Sequence, residues 1–207
     1  ALNALDQADR AAAQVAAVAA LDDAYPRVRA EAARVLAHQP ETLARLRARV
    51  QADAWFLVRQ APLPELPDVP ESRAWRQAAL SDPAASVRAS AIRALTRANQ
   101  AEAWPTLAGL IDAAHQDPEV VSEGIGFARA LCVQTAVPSL QSIATRGLHP
   151  DSPDSARELG LQALEALLHM GGQAADWART RAAGLPLPAA NPTTPEDAPC
   201  LTPRLGS

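Results

Sequence analysis

Along most of the chain, apolar residues return at intervals of three and four. In the stretch SVRASAIRAL, Val87, Ala91, Ala94 and Leu95 fall on one helical face, and PTLAGLIDAA from Pro105 and PSLQSIATRG from Pro138 carry the same spacing. That period predicts amphipathic helices with one face turned to a core. Proline at the head of such segments fits the first helical turn, where its missing N–H would have had no partner.

The pattern also repeats on a longer scale. LDDAYPRVRAEAARVL, from Leu21 to Leu36, matches LSDPAASVRASAIRAL, from Leu80 to Leu95: Asp23 aligns with Asp82, Val28-Arg29 with Val87-Arg88, and Leu36 with Leu95. An Asp followed by Val-Arg at plus five and plus six occurs again at Asp53 with Val58-Arg59, and weaker copies begin at Asp117 and at Asp151 with Ala156-Arg157. The spacing from one copy to the next lies in the range of solenoid repeats. Pro40, Pro105 and Pro138 precede Asp53, Asp117 and Asp151 by nearly the same interval, about the length of one helix, so each repeat reads as helix, short turn, helix.

The Asp suits the turn, because a carboxylate ahead of a helix can accept first-turn N–H groups and lies at the positive end of the helix dipole. Pro83 and Pro118 follow their Asp at the favoured position. Small residues on the inner face let a partner helix approach closely, and Arg93, with Arg34 and Arg129 at corresponding places, is expected on the exposed side.

A Pro-opened first helix followed by a D-P-x-x-x-V-R-x-x-A second helix resembles the HEAT repeat, in the short form also found in phycobilisome lyases. The resemblance covers about residues 5 to 182 in about five copies. It implies an all-α fold, a right-handed α-α superhelix of about five helix pairs. By the same resemblance Asp23, Asp53 and Asp82 with Arg29, Arg59 and Arg88 form a structural ladder from one repeat to the next.

Two places break the pattern. After Arg59 the chain reads QAPLPELPDVPES, and proline at this density stops a helix, so a short helix and then an extended loop over 61–70 are expected. Such a loop is either a tolerated insertion or a binding loop at the edge of the concave surface, and Trp55 and Phe56 just before it are either core or anchor. From Gly184 onward, prolines at 186, 188, 192, 195, 198 and 203 predict an extended tail, which divides the chain into a solenoid over 1–183 and a tail over 184–207. AAAQVAAVAAL near the start has no evident polar cap, which fits a piece of a longer array.

Composition narrows the core and the partners. Aromatic residues are only 3 % of the chain while alanine dominates the hydrophobic 48 %, so the core is built of small side chains and close backbones. A net charge of −4 argues against a dedicated nucleic-acid or anionic-membrane binder, and no apolar run is long enough to span a bilayer. All 19 basic residues are Arg, a compositional bias that carries no mechanism. Cys132 and Cys200 stand alone, without CxxC or a disulfide framework, and the compartment stays open with the cytoplasm favoured.

Reactive constellations are missing from the linear sequence. His38, His115, His149 and His169 are scattered near helix ends, with no HExxH and none of the His-Glu pairs of metal-dependent HEAT-repeat hydroxylases. Gly124-Ile125-Gly126 lacks the third glycine and the preceding strand of a dinucleotide fingerprint, so close helix packing is the expected reason for it. No catalytic residue, cofactor or metal is expected. The leading reading is a non-catalytic scaffold, with a monomer favoured, that binds a protein or peptide on its concave surface through Trp55, Phe56, Arg34, Arg93 and Arg129, alone or as a module of a larger protein. The alternatives are a chromophore-lyase-like protein and a nucleic-acid binder resembling the HEAT-like alkylpurine DNA glycosylases. In the latter, Trp55 with Asp53 or Trp104 with Asp112 would act in a groove lined by arginines such as Arg34, Arg59, Arg88 and Arg93.

Overall fold

The computed structural model describes residues 10–113, 117–183 and Cys200, and the Pro-rich tail expected over 184–207 lies, apart from that cysteine, outside the described residues. Ordered by the helical period, the chain forms two compact units, 1–98 and 99–207. No strand occurs among the described residues.

Unit 1 begins with α1 (Arg10–Ala20) and α2 (Pro26–Leu36), then α3 (Leu43–Gln51) and α4 (Phe56–Gln60), then α5 (Pro70–Ala79) and α6 (Ala85–Arg97). The second helices stand side by side, α2 against α4 and α4 against α6, each backed by its own first helix. Their facing surfaces are small: Ala32, Ala33 and Val35 on α2, Val58 on α4, and Val87, Ala91 and Ile92 on α6 are buried. Trp75 of α5 is the largest fully buried side chain of this unit, and Leu43, Leu46 and Val50 line the inner face of α3.

The break after Arg59 is packed rather than extended. Helix α4 ends at Gln60, where Pro62 and Pro64 cannot supply backbone donors, and the chain turns through a 3-10 helix at Leu63–Glu65. Leu63 and Leu66 drop into the core, Leu63 against α6, where the missing turns of α4 would have lain. The expected loop is therefore a short packed plug. Its last residue, Pro70, belongs to the first turn of α5 and precedes Asp82 by the same interval that separates Pro105 from Asp117, so it is the counterpart of Pro105 and Pro138.

Arg76 of α5 holds this plug. The residue is 3 % exposed, and its Nη2 donates to the carbonyl oxygens of Leu66 at 2.6 Å and Pro67 at 3.1 Å. Burial lowers the Arg76 pKa below that of a free guanidinium, with the carboxylate of Asp68 at 3.9 Å working in the opposite direction. Proline leaves carbonyls without helical partners, and a buried cation satisfies two of them.

Unit 2 contains α7 (Trp104–Ala113) with α8 (Pro118–Ala130), α9 (Val137–Gly147) with α10 (Asp154–Met170), and a last helix, α11 (Gly172–Ala182). The described residues thus form the expected five helix pairs, with one further helix. Helix α10 is central here, packing on α8, α9 and α11, with Ala163, Leu164, Ala166 and Leu167 buried. Trp104 stacks on Phe127 with ring centroids 6.3 Å apart.

Glycine controls the closest approaches. Both Gly124 and Gly126 lie within α8, as helix packing requires, but only Gly124 is enclosed: a Cβ there would sit 2.1 Å from Ile111 Cδ1 of α7, while one on Gly126 would meet nothing within 4 Å. Between α9 and α10, a Cβ on Gly147 would lie 2.3 Å from the carbonyl oxygen of Ala156 and 2.8 Å from Gly160 Cα. Those are backbone atoms, which a side-chain rotation cannot move aside. In urea unfolding, Gly126→Ala is expected to raise stability by about 0.5–1 kcal/mol through helix propensity. Gly147→Ala is expected to lower it by about 1–3 kcal/mol through overpacking, and equal effects of the two would refute the assignment.

Candidate functional site

In unit 1 the turn between the two helices of each repeat is built by one local device. The carboxylate of Asp23 accepts from the Tyr25 N–H at 2.8 Å, that of Asp53 from the Trp55 N–H at 2.9 Å, and that of Asp82 from the Ala84 N–H at 2.9 Å. These are Asx turns that precede the helix, so the expectation that Asp bonds the first-turn N–H groups is corrected. The residue at the N-cap itself is the one two positions on: Tyr25, Trp55 or Ala84, each with extended backbone. Pro83 accordingly lies in the turn and not in the helix.

The arginine at plus six from each Asp closes the turn from behind. Arg29 Nη1 donates to the carbonyls of Asp23 (2.9 Å) and Ala24 (3.2 Å), Arg59 Nη1 to those of Asp53 (2.8 Å) and Ala54 (3.2 Å), and Arg88 Nη1 to those of Asp82 (2.7 Å) and Pro83 (3.0 Å). The remaining donors of the first two reach into the following repeat. Arg29 meets Asp53 through Nε at 2.7 Å and Nη2 at 3.0 Å, and Arg59 meets Asp82 in the same two-point manner at 2.7 and 2.9 Å.

All four side chains of these pairs are mostly buried. The hydrogen bond from Arg29 holds the Asp53 carboxyl below the usual carboxylate range. Burial alone would raise Asp82, but the Arg59 and Ala84 hydrogen bonds outweigh it and its pKa is also lowered. Both arginines are raised in turn, chiefly by the same bonds.

In unit 2 the turn positions are used differently. Asp117 is itself the N-cap residue of α8, with Pro118 at the first helical position. Arg157 donates to the Ser152 carbonyl at 3.5 Å and lies 3.7 Å from the Asp154 carboxylate.

On this turn edge of unit 1 the aromatic residues point outward. Tyr25 is 73 % and Trp55 52 % exposed, and Phe56 and Leu57 next to Trp55 are each exposed as well. Tyr25 and Trp55 hold the same position in consecutive repeats, so helix spacing puts them roughly 8–10 Å apart along the edge. Beside them a concavity of about 730 Å³ opens between the first two helix pairs, lined by Leu21, Asp22, Arg29, Arg45, Arg49 and Asp53.

The arginines expected on an exposed line are placed differently. Arg34 is half-buried and donates to Glu31 at 2.8 and 3.1 Å and to Glu65 of the plug at 3.5 Å, its pKa raised first by the Glu31 bond. Arg93 and Arg129 are half-buried too, and the second lies in unit 2, so among the described residues no exposed stripe joins Arg34 and Arg93 to Trp55. A long side chain on a helix flank covers apolar surface with its stem, which is why the face reading failed. Trp104 is buried against Phe127, while Asp112 is exposed. His115 lies outside the described residues. His38 stands 3.5 Å from Glu65 and His149 3.7 Å from Asp151.

Unit 2 brings together three residues that linear reading kept apart. Cys132 and Cys200 form a disulfide with Cα atoms 5.8 Å apart, against the expectation of two isolated cysteines. The Cys200 N–H donates to the His169 carbonyl at 3.0 Å, and the two sulfurs and an imidazole nitrogen all lie within 4.8 Å of one another. Their wide separation along the chain hides such a group from any short motif. Disulfides persist in oxidising compartments, whereas a thiol-buffered cytosol would hold these sulfurs as thiols.

Stability carried by Asp53 and Asp82 is complete above the unfolded Asp pKa of about 3.9 and is lost as pH falls through their lower folded values. The urea midpoint is expected to drop between pH 5 and pH 2, and to drop less in an Asp53→Asn, Asp82→Asn double variant. At neutral pH, Asp82→Ala should cost about 2–3 kcal/mol, since it strands the Arg59 guanidinium in a mostly buried site. Removing the exposed Asp176, whose partner is Arg179 at 2.7 Å, should change stability by less than about 0.5 kcal/mol.

Comparison with curated proteins gives no match. No helix of the described residues is long and apolar enough to cross a membrane. A family model of HEAT repeats matches residues 72–165, which take in the pairs α5–α6, α7–α8 and most of α9–α10. The match covers a little under half of the chain, and with the all-helical pairs and the recurring Asp-to-Arg ladder of unit 1 it supports a likeness to HEAT repeats.

Proposed function

We propose that this chain is a non-catalytic scaffold that holds a partner protein or peptide on the turn edge of unit 1, around Tyr25, Trp55, Phe56 and Leu57. One observation carries the reading: aromatic side chains are only 3 % of this sequence, yet Tyr25, Trp55 and Phe56, with Leu57, are left in solvent at one edge. Tyr and Trp bury much area at little entropic cost, and they dominate the energetics of protein interfaces. The Asx turns and the arginine ladder beneath them hold their backbone rigid, which lowers the cost of ordering on binding.

The geometry disfavours general acid–base work at Asp53, whose carboxylate is committed to Arg29 and kept ionised. A phosphate-tracking groove needs arginines free to face solvent, and Arg29, Arg34 and Arg59 are tied to carboxylates of the chain itself. Placing the site at the turn edge departs from the concave surface expected from the repeat pattern.

The test is affinity capture from the source cell with the full chain and with a Tyr25→Ser, Trp55→Ser variant, read by quantitative mass spectrometry. A partner protein should be retained by the wild-type chain and reduced about tenfold or more in the variant, with far-ultraviolet circular dichroism unchanged. Equal recovery by both chains, or recovery of none, would sink the proposal.

A further inference from the structure

Two helix ends of unit 2 converge on Cys200. Helix α8 closes in a Schellman turn: the Val133 N–H donates to the Ala128 carbonyl at 3.0 Å and the Cys132 N–H to that of Arg129 at 3.2 Å. Cys132 occupies the position of that turn with a left-handed backbone, φ 52°. The matching position after α6 holds Asn99, φ 53°, one of the residues that accept this conformation readily. A cysteine therefore sits where glycine or asparagine would be easier, its sulfur close to the last turn of α10, which bears His169 and is capped by Gly171. Cys200 is tied to that same turn by its backbone bond to the His169 carbonyl.

We infer that Cys132, Cys200 and His169 form a redox-gated Zn²⁺ site, closed to metal as the disulfide and opened when the disulfide is reduced. Two thiolates and an imidazole are a donor set that selects Zn²⁺ over Mg²⁺ or Ca²⁺. Tetrahedral zinc with such ligands needs donor atoms about 3.5–3.8 Å apart, and all three lie within 4.8 Å of one another at half-buried positions. From a bonded pair of sulfurs, side-chain rotation alone provides the extra separation. The C-terminal ends of α8 and α10 add negative potential, which favours a cation between them. Three protein ligands leave one position to water.

The chemistry balances through a dithiol reductant. It delivers two electrons and two protons to the Cys132–Cys200 bond, is itself oxidised to its cyclic disulfide, and leaves two cysteine thiols; Zn²⁺ then displaces both thiol protons. A small-molecule disulfide, reduced to its two thiols as it takes the two electrons by thiol–disulfide exchange, reforms the Cys132–Cys200 bridge and releases the metal.

The full chain, reduced anaerobically and freed of reductant, is titrated with Co²⁺ as the spectroscopic probe and then with Zn²⁺ in competition. One equivalent of Co²⁺ should give thiolate-to-cobalt charge-transfer and tetrahedral ligand-field bands, which Zn²⁺ abolishes and which the oxidised chain lacks. Cys132→Ser and Cys200→Ser should remove the charge-transfer band's two-thiolate intensity. His169→Ala should weaken zinc by more than the roughly 10- to 100-fold that loss of a supporting residue costs. Circular dichroism of each reduced variant checks that the helices persist, and the oxidised and reduced wild-type chain provides the comparison that needs no substitution. Equal metal uptake in both redox states, or uptake in the reduced chain indifferent to Cys200→Ser or His169→Ala, would overturn the inference.

Discussion

A guanidinium reaching from the second helix of one repeat into the carboxylate of the next is the contact on which unit 1 depends. Arg29 to Asp53 and Arg59 to Asp82 each join neighbouring repeats through two parallel hydrogen bonds. The same arginines bind the carbonyls of their own turn, and the same aspartates accept the N–H that starts the following helix. One residue pair therefore sets the turn, the helix start and the repeat spacing together. A mostly buried ion pair is costly to desolvate, and it persists here because nearly every donor and acceptor finds a partner.

With the spacing held by polar contacts, the interior can be made of alanine, valine and leucine. Small side chains bury little area each, so helices have to approach closely to gain enough from packing. Glycine at 147 and 160 marks the limit of that approach in unit 2, where α9 and α10 meet backbone to backbone. The scarce aromatics are divided: Trp75, Trp104 and Phe127 fill the interior, Tyr25, Trp55 and Phe56 stand on the ladder's edge, and Trp177 is half-buried beneath Arg181. Aromatic surface is thus left in solvent beside the hydrogen bonds of the ladder.

Where unit 1 loses half a helix, the plug at Leu63–Glu65 repairs the core and Arg76 satisfies its carbonyls. Glu65 returns the connection by receiving Arg34 and standing near His38 of the first repeat. The insertion is thus woven into the repeat network on both sides. Unit 2 relies on a different tie, the covalent link from the end of α8 to Cys200, whose backbone is bound to the end of α10.

Periodicity was enough to read the helices and their pairing, because the helical period and the regular return of the Asp-Val-Arg pattern are local and repeated facts. The ladder between repeats was legible only through the resemblance to HEAT repeats. The Pro-rich break was legible as the end of a helix, since proline acts on its own backbone. What fills the gap was not, because the burial of Leu63 and Leu66 and the role of Arg76 depend on neighbours outside the segment itself. The exposure of Trp55 and the half-burial of Arg34, Arg93 and Arg129 were likewise settled only by packing, since a helical face does not say which of its flanks a neighbouring helix covers. The meeting of Cys132, His169 and Cys200 lay furthest out of reach: three residues so widely spread along the chain carry no common pattern until α8 and α10 fold side by side.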